Sequence, residues 1–178
     1  MNDLAQKQYD FIEKIFAYSK EHGKPLFLKG GWNIDLVYGQ VTRDHEDIDL
    51  MFDTSDHPFW RDWYAKQGFT EQPQGEFYSI YESPEGFHVD MGGFSFDPKA
   101  QVITWSHGGT AKLTEVAELQ IYKDFSYLGM KMGVERYLKL KHADYGKRER
   151  DKKDVEILNK ILNTVEDPAK NLSPSSLV

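Results

Sequence analysis

Hydrophobic residues recur at helical spacing near the start of the chain. Residues 4–20 bring apolar side chains to one face of a helix, a pattern that Gln8 interrupts and that His22-Gly23 ends. The members of this face are Leu4, Phe11, Ile12, Ile15 and Phe16. The sequence therefore predicts an amphipathic first helix that packs against a core.

Short apolar runs separated by glycines follow this helix. Leu26–Leu28 has the composition of a buried strand, Gly30-Gly31 breaks it, and Trp32–Tyr38 fits a short helix ended by Gly39. The run from His45 to Phe52 alternates acidic and aliphatic residues before it becomes wholly apolar. This pattern predicts a strand whose first residues emerge at an edge of the sheet.

The second half of the chain adds a helix, a pair of strands and two closing helices. The helix covers residues 57–67, and the strands cover Phe77–Tyr81 and Phe87–Met91 with a Ser-Pro-Glu-Gly turn between them. Residues 95–130 fit short strands and loops. Helical spacing returns at Val134–Ala143 and again from about Asp151 to Leu162.

The order of these elements predicts the fold class. Helices and strands that alternate, then hairpin-like strands, then helices are typical of an α/β (α+β) fold with a mixed sheet flanked by helices. A chain of 178 residues has the size of one domain. We expect a single domain over residues 1–168, with closing helices at about 133–163, and a flexible Pro- and Ser-containing tail over 169–178.

Composition and charge narrow the classes of function. The formal net charge is −7, which argues against a nucleic-acid partner, and hydrophobic residues make up 39% of the chain, enough for a core. The chain has no cysteine, so disulfides, thiolate nucleophiles and Cys-ligated zinc are excluded. Without an apolar run of membrane-spanning length or a signal-like start, we expect a cytoplasmic protein with no membrane partner.

Three aspartates carry the candidate chemistry. Asp47 and Asp49 are two residues apart on a predicted strand, so both carboxylates project from one face. Asp90 interrupts an apolar strand pattern elsewhere in the chain. If the two strands are neighbours, the three acids converge, and hard oxygen ligands of this kind suit Mg²⁺. Such a cluster could hold one or two ions against a nucleoside triphosphate.

The Gly30-Gly31 pair is a candidate phosphate-binding turn. It lies between a predicted strand and a helix start, where unobstructed N–H groups and the helix dipole favour an anion. An ordinary tight turn is the alternative interpretation. The combination of a Gly-Gly turn, an Asp-x-Asp strand and a later strand aspartate is more specific than any of the three alone.

Other residues allow competing interpretations. His45 and His88 each precede an aspartate by two residues, a spacing also compatible with a transition-metal hydrolase. Arg43 is either a phosphate contact or a structural partner of Asp35 or Glu46. The basic run at 147–153 interleaves acidic residues and is most simply a solvated helix face.

The motif residues resemble a known family. Gly30-Gly31-Trp32, Asp35, Gly39, Arg43, His45 and Asp47-Ile48-Asp49 follow the pattern G-G-W-x-x-D-x-x-x-G-x-x-x-R-x-H-x-D-I-D. This pattern resembles the signature of small antibiotic nucleotidyltransferases, which modify aminoglycosides and lincosamides and belong to the polymerase-β-like nucleotidyltransferase superfamily. His142, Tyr145, Asp151 and Asp154 are similar to the closing helices of the lincosamide enzymes. The resemblance covers about residues 5–165 but hardly extends to 95–130, where we expect acceptor specificity to be encoded.

The resemblance implies a role for each motif residue. Asp47 and Asp49 would bind the Mg²⁺ ions that bridge the triphosphate, and Asp90 would bind metal, act as general base, or both. Gly30 and Gly31 would approach the triphosphate through backbone N–H groups, with Arg43 as a further phosphate contact. The fold implied is the polymerase-β-like nucleotidyltransferase fold.

These observations lead to one functional hypothesis and several alternatives. The hypothesis is Mg²⁺-dependent transfer of a nucleoside monophosphate, from ATP as the first-choice donor, to a hydroxyl of a small molecule such as an aminoglycoside or lincosamide, with release of pyrophosphate. The alternatives are a tRNA or protein acceptor, a His/Asp metal-dependent phosphohydrolase, and a nucleotide-binding protein without turnover. A monomer and a homodimer are both compatible with the sequence.

Overall fold

The computed structural model describes residues 2–97, 99–100, 102–106, 110–112 and 149–165. These residues form a mixed α/β structure, with a short 3₁₀ turn at Thr54–Asp56 before the third helix. In chain order the elements are α1 (Asp3–His22), β1 (Leu26–Leu28), α2 (Gly30–Tyr38), β2 (Asp47–Asp53), α3 (His57–Lys66), β3 (Thr70–Gly75), β4 (Tyr78–Glu82), β5 (His88–Asp97), β6 (Val102–Trp105), β7 (Thr110–Lys112) and α4 (Glu149–Val165).

The strands form a single mixed sheet. Its central path runs β1-β2-β5-β4-β3, and β6 pairs with both β5 and β7. The pair β2–β5 is parallel, whereas the others are antiparallel. The predicted mixed sheet is thereby confirmed, and the parallel pair at its centre brings the starts of β2 and β5 side by side.

The first helix buries a slightly different face from the one predicted. Leu4 is 37% exposed, whereas Gln8, which breaks the apolar pattern, is fully buried. The Gln8 side chain contributes a polar contact inside the protein, because its Nε2 donates to the carbonyl oxygen of His45 at 3.2 Å. The prediction that Leu4 belongs to the buried face is therefore wrong, and Ala5 and Gln8 take its place.

The hydrophobic core lies between helices α1 and α3 and one face of the sheet. Alternate residues of β2 and β5 point into it, namely Ile48, Leu50 and Phe52 together with Val89 and Met91. Aromatic rings from the helices complete it: Phe11 lies 5.3 Å from both Phe69 and Phe87, and Tyr64 stacks on Tyr81 at 4.0 Å. By alternation, Asp47, Asp49 and Asp90 project from the opposite face.

Several element boundaries differ from the sequence prediction for local reasons. Helix α2 begins at Gly30 and not at Trp32, and β2 begins at Asp47 because the buried His45 belongs to the preceding loop. Strand β3 was not predicted, since its sequence TEQPQG is polar and mostly exposed. Gly39, with φ of 81°, ends α2 as expected.

The closing helices are confirmed only in part. The second of them is present as α4, which packs against α2. The first, at Val134–Ala143, lies outside the described residues, as does the tail over 169–178. The single domain over 1–168 stays a prediction. None of the described helices is long and apolar enough to cross a membrane.

Candidate active site

The three candidate carboxylates lie at the start of the parallel pair β2–β5. Asp49 is the register partner of Asp90, and Asp47 is the partner of His88. Register partners on neighbouring parallel strands point to the same face, about 4.8 Å apart along the sheet. The structure thus places Asp90 beside Asp49 on the face opposite the core.

The electrostatics of this cluster disfavour full ionisation. Burial, and then the charges of Asp47 and Asp90, raise the pKa of Asp49 to about 6, against the opposing effect of Lys29 and Arg43. Burial likewise raises the pKa of Asp90, with Asp47 adding to the rise and the Tyr78 hydrogen bond opposing it. A cation bound between these carboxylates would offset the repulsion between their negative charges.

The donor set has the chemistry of a magnesium site. Carboxylate oxygens are the side-chain ligands that Mg²⁺ prefers, and Mg²⁺ needs only one or two of them when a phosphate supplies others. Within the part of the chain that the structure describes, no three or more His, Cys, Asp or Glu side chains lie close enough together to hold a metal ion by themselves. The arrangement fits a cation shared between these acids and a phosphate-bearing substrate.

Gly30 lies directly against Asp49. Its φ of 64° is in the left-handed region, and a Cβ at this position would overlap the Asp49 carboxylate, with Asp49 Cγ only 3.0 Å away. The backbone N–H of Lys29 donates to the carbonyl oxygen of Asp49 at 2.8 Å. The start of α2 is therefore fixed to the strand that carries the acids, and the Lys29 side chain makes no capping hydrogen bond there.

Gly31 allows the side chains of Arg43 and His45 to lie close to the backbone of α2. A Cβ on Gly31 would lie 2.8 Å from Nδ1 and Cε1 of His45 and would overlap Nη2 of Arg43. A side chain is thus excluded at the two positions for different reasons. At Gly30 it would overlap Asp49, and at Gly31 it would overlap Arg43 and His45. The predicted phosphate turn is at the same time a packing junction between α2 and the segment before β2.

We expect Gly31→Ala to destabilise the protein. The added methyl group forces Arg43 and His45 away from α2, and overpacking of this kind typically costs about 1–3 kcal/mol of unfolding free energy. Urea denaturation followed by circular dichroism measures the change. Gly92→Ala is the matched control, because no atom lies within 4 Å of its ideal Cβ and its φ is not positive. Equal stabilities of the two variants would contradict this packing role.

His45 belongs to a buried network and not to the acidic cluster. Its Nε2 lies 2.8 Å from Oδ2 of Asp35, and its ring packs at 4.5 Å from the Trp32 ring. Asp35 also accepts hydrogen bonds from the Thr42 backbone N–H at 2.9 Å and the Thr42 hydroxyl at 2.6 Å. Burial alone would raise the pKa of Asp35, but these hydrogen bonds outweigh it and hold the pKa below its usual range.

This network gives the motif residues Trp32, Asp35 and His45 a structural role. It ties the segment from Thr42 to His45 onto α2, and it leaves Trp32 fully buried in the core. His88, the second histidine of the possible hydrolase site, is exposed and pairs in register with Asp47. The pairing of His45 with Asp35 therefore gives no support to a His/Asp hydrolase centre.

Arg43 has a partner that the sequence did not indicate. Its Nε and Nη2 contact Oδ1 and Oδ2 of Asp154 at 2.7 Å and 2.8 Å, a bidentate ion pair between residues 111 positions apart. The structural pair is therefore with Asp154, whereas Asp35 contacts His45 and Glu46 contacts Arg150. Arg43 nevertheless lies close enough to Asp49 to lower its pKa.

Two site residues were missed from the sequence. The Tyr78 hydroxyl on β4 donates to Oδ2 of Asp90 at 3.1 Å, and burial together with the charge of Asp90 raises the pKa of Tyr78 to about 12, so the phenol stays protonated. Lys29 supplies positive charge that lowers the pKa values of Asp49 and Asp90. Only the position of Lys29 directly before the Gly-Gly pair could have indicated it.

Two residues of the C-terminal pattern cannot be placed. His142 and Tyr145 lie outside the described residues, and of the remaining pair only the Asp154 side chain is described. Asp154 is buried on α4, 3% exposed, in the contact with Arg43. Asp154 thus has a packing and hydrogen-bonding role.

Comparisons with known proteins find a family model and several relatives that match the chain. The family model of aminoglycoside-2''-adenylyltransferase matches residues 11–158. A 2''-aminoglycoside nucleotidyltransferase from Escherichia coli is 51% identical over 45 residues, and a lincosamide resistance protein from Staphylococcus haemolyticus is 35% identical over 52 residues. These matches span a quarter of the Escherichia coli protein and 30% of the Staphylococcus haemolyticus protein, and 25% and 29% of this chain.

Solved structures show the same architecture over most of the chain. A lincomycin-bound lincosamide antibiotic adenylyltransferase superposes with a TM-score of 0.66 at 22% identity, covering 83% of this chain and 94% of that one. A 2''-nucleotidyltransferase in complex with adenylyl-2''-tobramycin gives a TM-score of 0.63 at 18% identity, covering 90% and 92%. The fold is that of the polymerase-β-like nucleotidyltransferases, as the motif resemblance implied. With the family model matched over 11–158, the chain belongs to the aminoglycoside-2''-adenylyltransferase family.

Proposed function

We propose that the protein transfers a nucleoside monophosphate from a nucleoside triphosphate to a hydroxyl group of an aminoglycoside or lincosamide. The observation that carries this proposal is the register of β2 and β5, which sets Asp49 beside Asp90 while Gly30 lies against Asp49. Family membership supports the reaction class, and structural neighbours bound to lincomycin and to an adenylylated tobramycin support an antibiotic acceptor.

The acids and the start of α2 together form a site for the triphosphate. Asp47, Asp49 and Asp90 are the residues that would hold Mg²⁺, which would neutralise negative charge on the phosphates. The backbone N–H groups at Gly30 and Gly31 and the positive end of α2 offer donors to the phosphate oxygens. Lys29 and Arg43 add positive charge on the same side, with Arg43 held in place by Asp154.

Asp90 is the proposed general base. The acceptor oxygen attacks the α-phosphorus, the bond to the pyrophosphate oxygen breaks, and the hydroxyl proton passes to Asp90. Tyr78 donates to Oδ2, so the proton-accepting role falls to Oδ1. The raised pKa of Asp90 brings it nearer to that of a useful base at neutral pH. ATP is the proposed donor, and pyrophosphate is the second product.

Calorimetric titration of ATP, GTP and CTP, each with and without Mg²⁺, tests the donor half of the proposal. We expect Mg²⁺-dependent binding with a preference for ATP, and its loss in the double variant Asp47→Asn/Asp49→Asn. An aminoglycoside is added in a second series, since a donor that binds only after the acceptor would escape the first. Failure of every triphosphate to bind in both series would contradict the proposal.

A further inference from the structure

Helix α4 holds the segment that leads into β2. Three of its side chains, spaced three and four residues apart and therefore on one face of the helix, contact residues 42–46. The contacts are Arg150 with Glu46, Lys153 Nζ with the carbonyl oxygen of Thr42 at 3.3 Å, and Asp154 with Arg43. The segment they hold ends immediately before Asp47.

The contact of Asp154 with Arg43 is the buried one of the three. The side chains are 4% and 12% exposed, and both carboxylate oxygens are engaged by the guanidinium. A planar guanidinium held by two parallel hydrogen bonds to one carboxylate has a single orientation. One hydrogen bond would leave the guanidinium free to rotate. Asp154 therefore holds the Arg43 guanidinium in one orientation through two hydrogen bonds.

The Arg43 guanidinium in turn packs on the glycine turn. Its Nη2, which is bound to Asp154, is also the atom that a Cβ on Gly31 would overlap. Arg43 Nη1 donates to the carbonyl oxygen of Asp44 at 3.0 Å, so the same side chain fixes the backbone on the other side. A shift of Arg43 would remove the side chain that packs on Gly31 and leave the turn held to β2 by the Lys29–Asp49 hydrogen bond.

We propose that Asp154 is a positioning residue for donor binding: through Arg43 it fixes the Gly30–Gly31 turn relative to the acids of β2. The C-terminal helix thus takes part in triphosphate recognition without contacting the triphosphate. This inference rests on the proposed nucleotidyltransferase function. It gives α4, which is far from the acids in sequence, a role in donor binding.

Asp154→Asn tests the inference, because it keeps the shape of the side chain and removes its charge. Calorimetry with Mg²⁺–ATP on the full chain is expected to show donor affinity weakened about 10- to 100-fold, as is typical when a group that orients a binding residue is removed. The KM for the acceptor is expected to stay unchanged. Asp154→Glu, which restores the carboxylate, is expected to recover part of the donor affinity.

The matched control is Glu156→Gln, which removes an exposed ion pair with Lys160 on the same helix. It should leave donor affinity unchanged. If Asp154→Asn folds and binds Mg²⁺–ATP as the wild type does, or if donor and acceptor KM rise together, the inference is overturned. If it does not fold, Asp154→Glu decides, because it keeps the charge but moves the carboxylate that both guanidinium nitrogens contact. Weakened donor affinity with an unchanged acceptor KM would support the inference, and wild-type donor affinity would overturn it. Failure of the wild type to bind any triphosphate, with or without an aminoglycoside present, would overturn the proposed function itself.

Discussion

Asp49→Asn is expected to abolish nucleotidyl transfer and, at neutral pH, to make the protein more stable. The loss of activity follows from the position of Asp49 between Asp90 and the Gly30 turn, where it would bind the cation that the triphosphate needs. The gain in stability follows from its pKa, which burial and the charge of Asp47 raise to about 6. Transfer assays and thermal or urea unfolding without Mg²⁺ measure the two effects.

The stability gained in Asp49→Asn depends on pH, because the pKa of Asp49 is raised in the folded protein. A carboxyl whose pKa is higher in the folded state than in the unfolded state costs no stability below its unfolded pKa, where both states are protonated. The cost grows between pH 4 and about 6 and is fully present above that, at up to about 3 kcal/mol for a shift of this size. We therefore expect Asp49→Asn to stabilise the protein at pH 7.5 and to leave its stability unchanged near pH 4.

Asp62→Asn is the control for this prediction. Asp62 forms an exposed pair with Lys66, so its loss should change the unfolding free energy by less than about 1 kcal/mol at either pH. Equal stability of Asp49→Asn and the wild type at pH 7.5 would show that burial and the neighbouring carboxylates do not disfavour the charged form of Asp49 as the structure indicates. Retained transfer activity would remove Asp49 from the site.

Asp90→Asn is expected to lower kcat by about 10²–10⁴-fold, the range typical for loss of a general base. Donor affinity should fall much less than kcat, because Asp47, Asp49 and the glycine turn remain to hold the cation and the triphosphate. Single-turnover kinetics give the chemical rate, and calorimetry with Mg²⁺–ATP gives the affinity.

Glu82→Gln provides the comparison for Asp90→Asn. Glu82 is exposed on β4, the strand that also carries Tyr78, and its loss should leave both quantities unchanged. A loss of donor affinity as large as the loss of kcat in Asp90→Asn would contradict the base role and make Asp90 chiefly a metal ligand. An unchanged kcat would exclude it from both roles.

The convergence of the acids was predictable because it depends on short-range patterns. Alternation on β2 put Asp47 and Asp49 on one face, and an apolar stretch around Asp90 predicted a second strand. Sequence alone left open whether these strands are neighbours, and the parallel register of β2 and β5 answers this. The family resemblance added the order of motifs, which local periodicity does not contain.

The errors arose where the deciding contact is distant or polar. Arg43 was assigned nearby partners, but its carboxylate lies 111 positions away on α4. Leu4 was placed inside by its hydrophobicity, yet a hydrogen bond to the His45 carbonyl allows Gln8 to be buried on that side of α1. Tyr78 could not be identified because an aromatic residue in a strand is ordinarily part of a packed face.

The most direct test of the account is product formation. The protein is incubated with ATP, Mg²⁺ and a panel of aminoglycosides and lincosamides, and the products are identified by mass spectrometry, with Asp49→Asn alongside. We predict at least one antibiotic heavier by one adenylyl group, with pyrophosphate released in equal amount, and no product from Asp49→Asn. If no antibiotic is modified while labelled nucleotide appears on RNA or protein, or if both proteins give the same product, the account is contradicted.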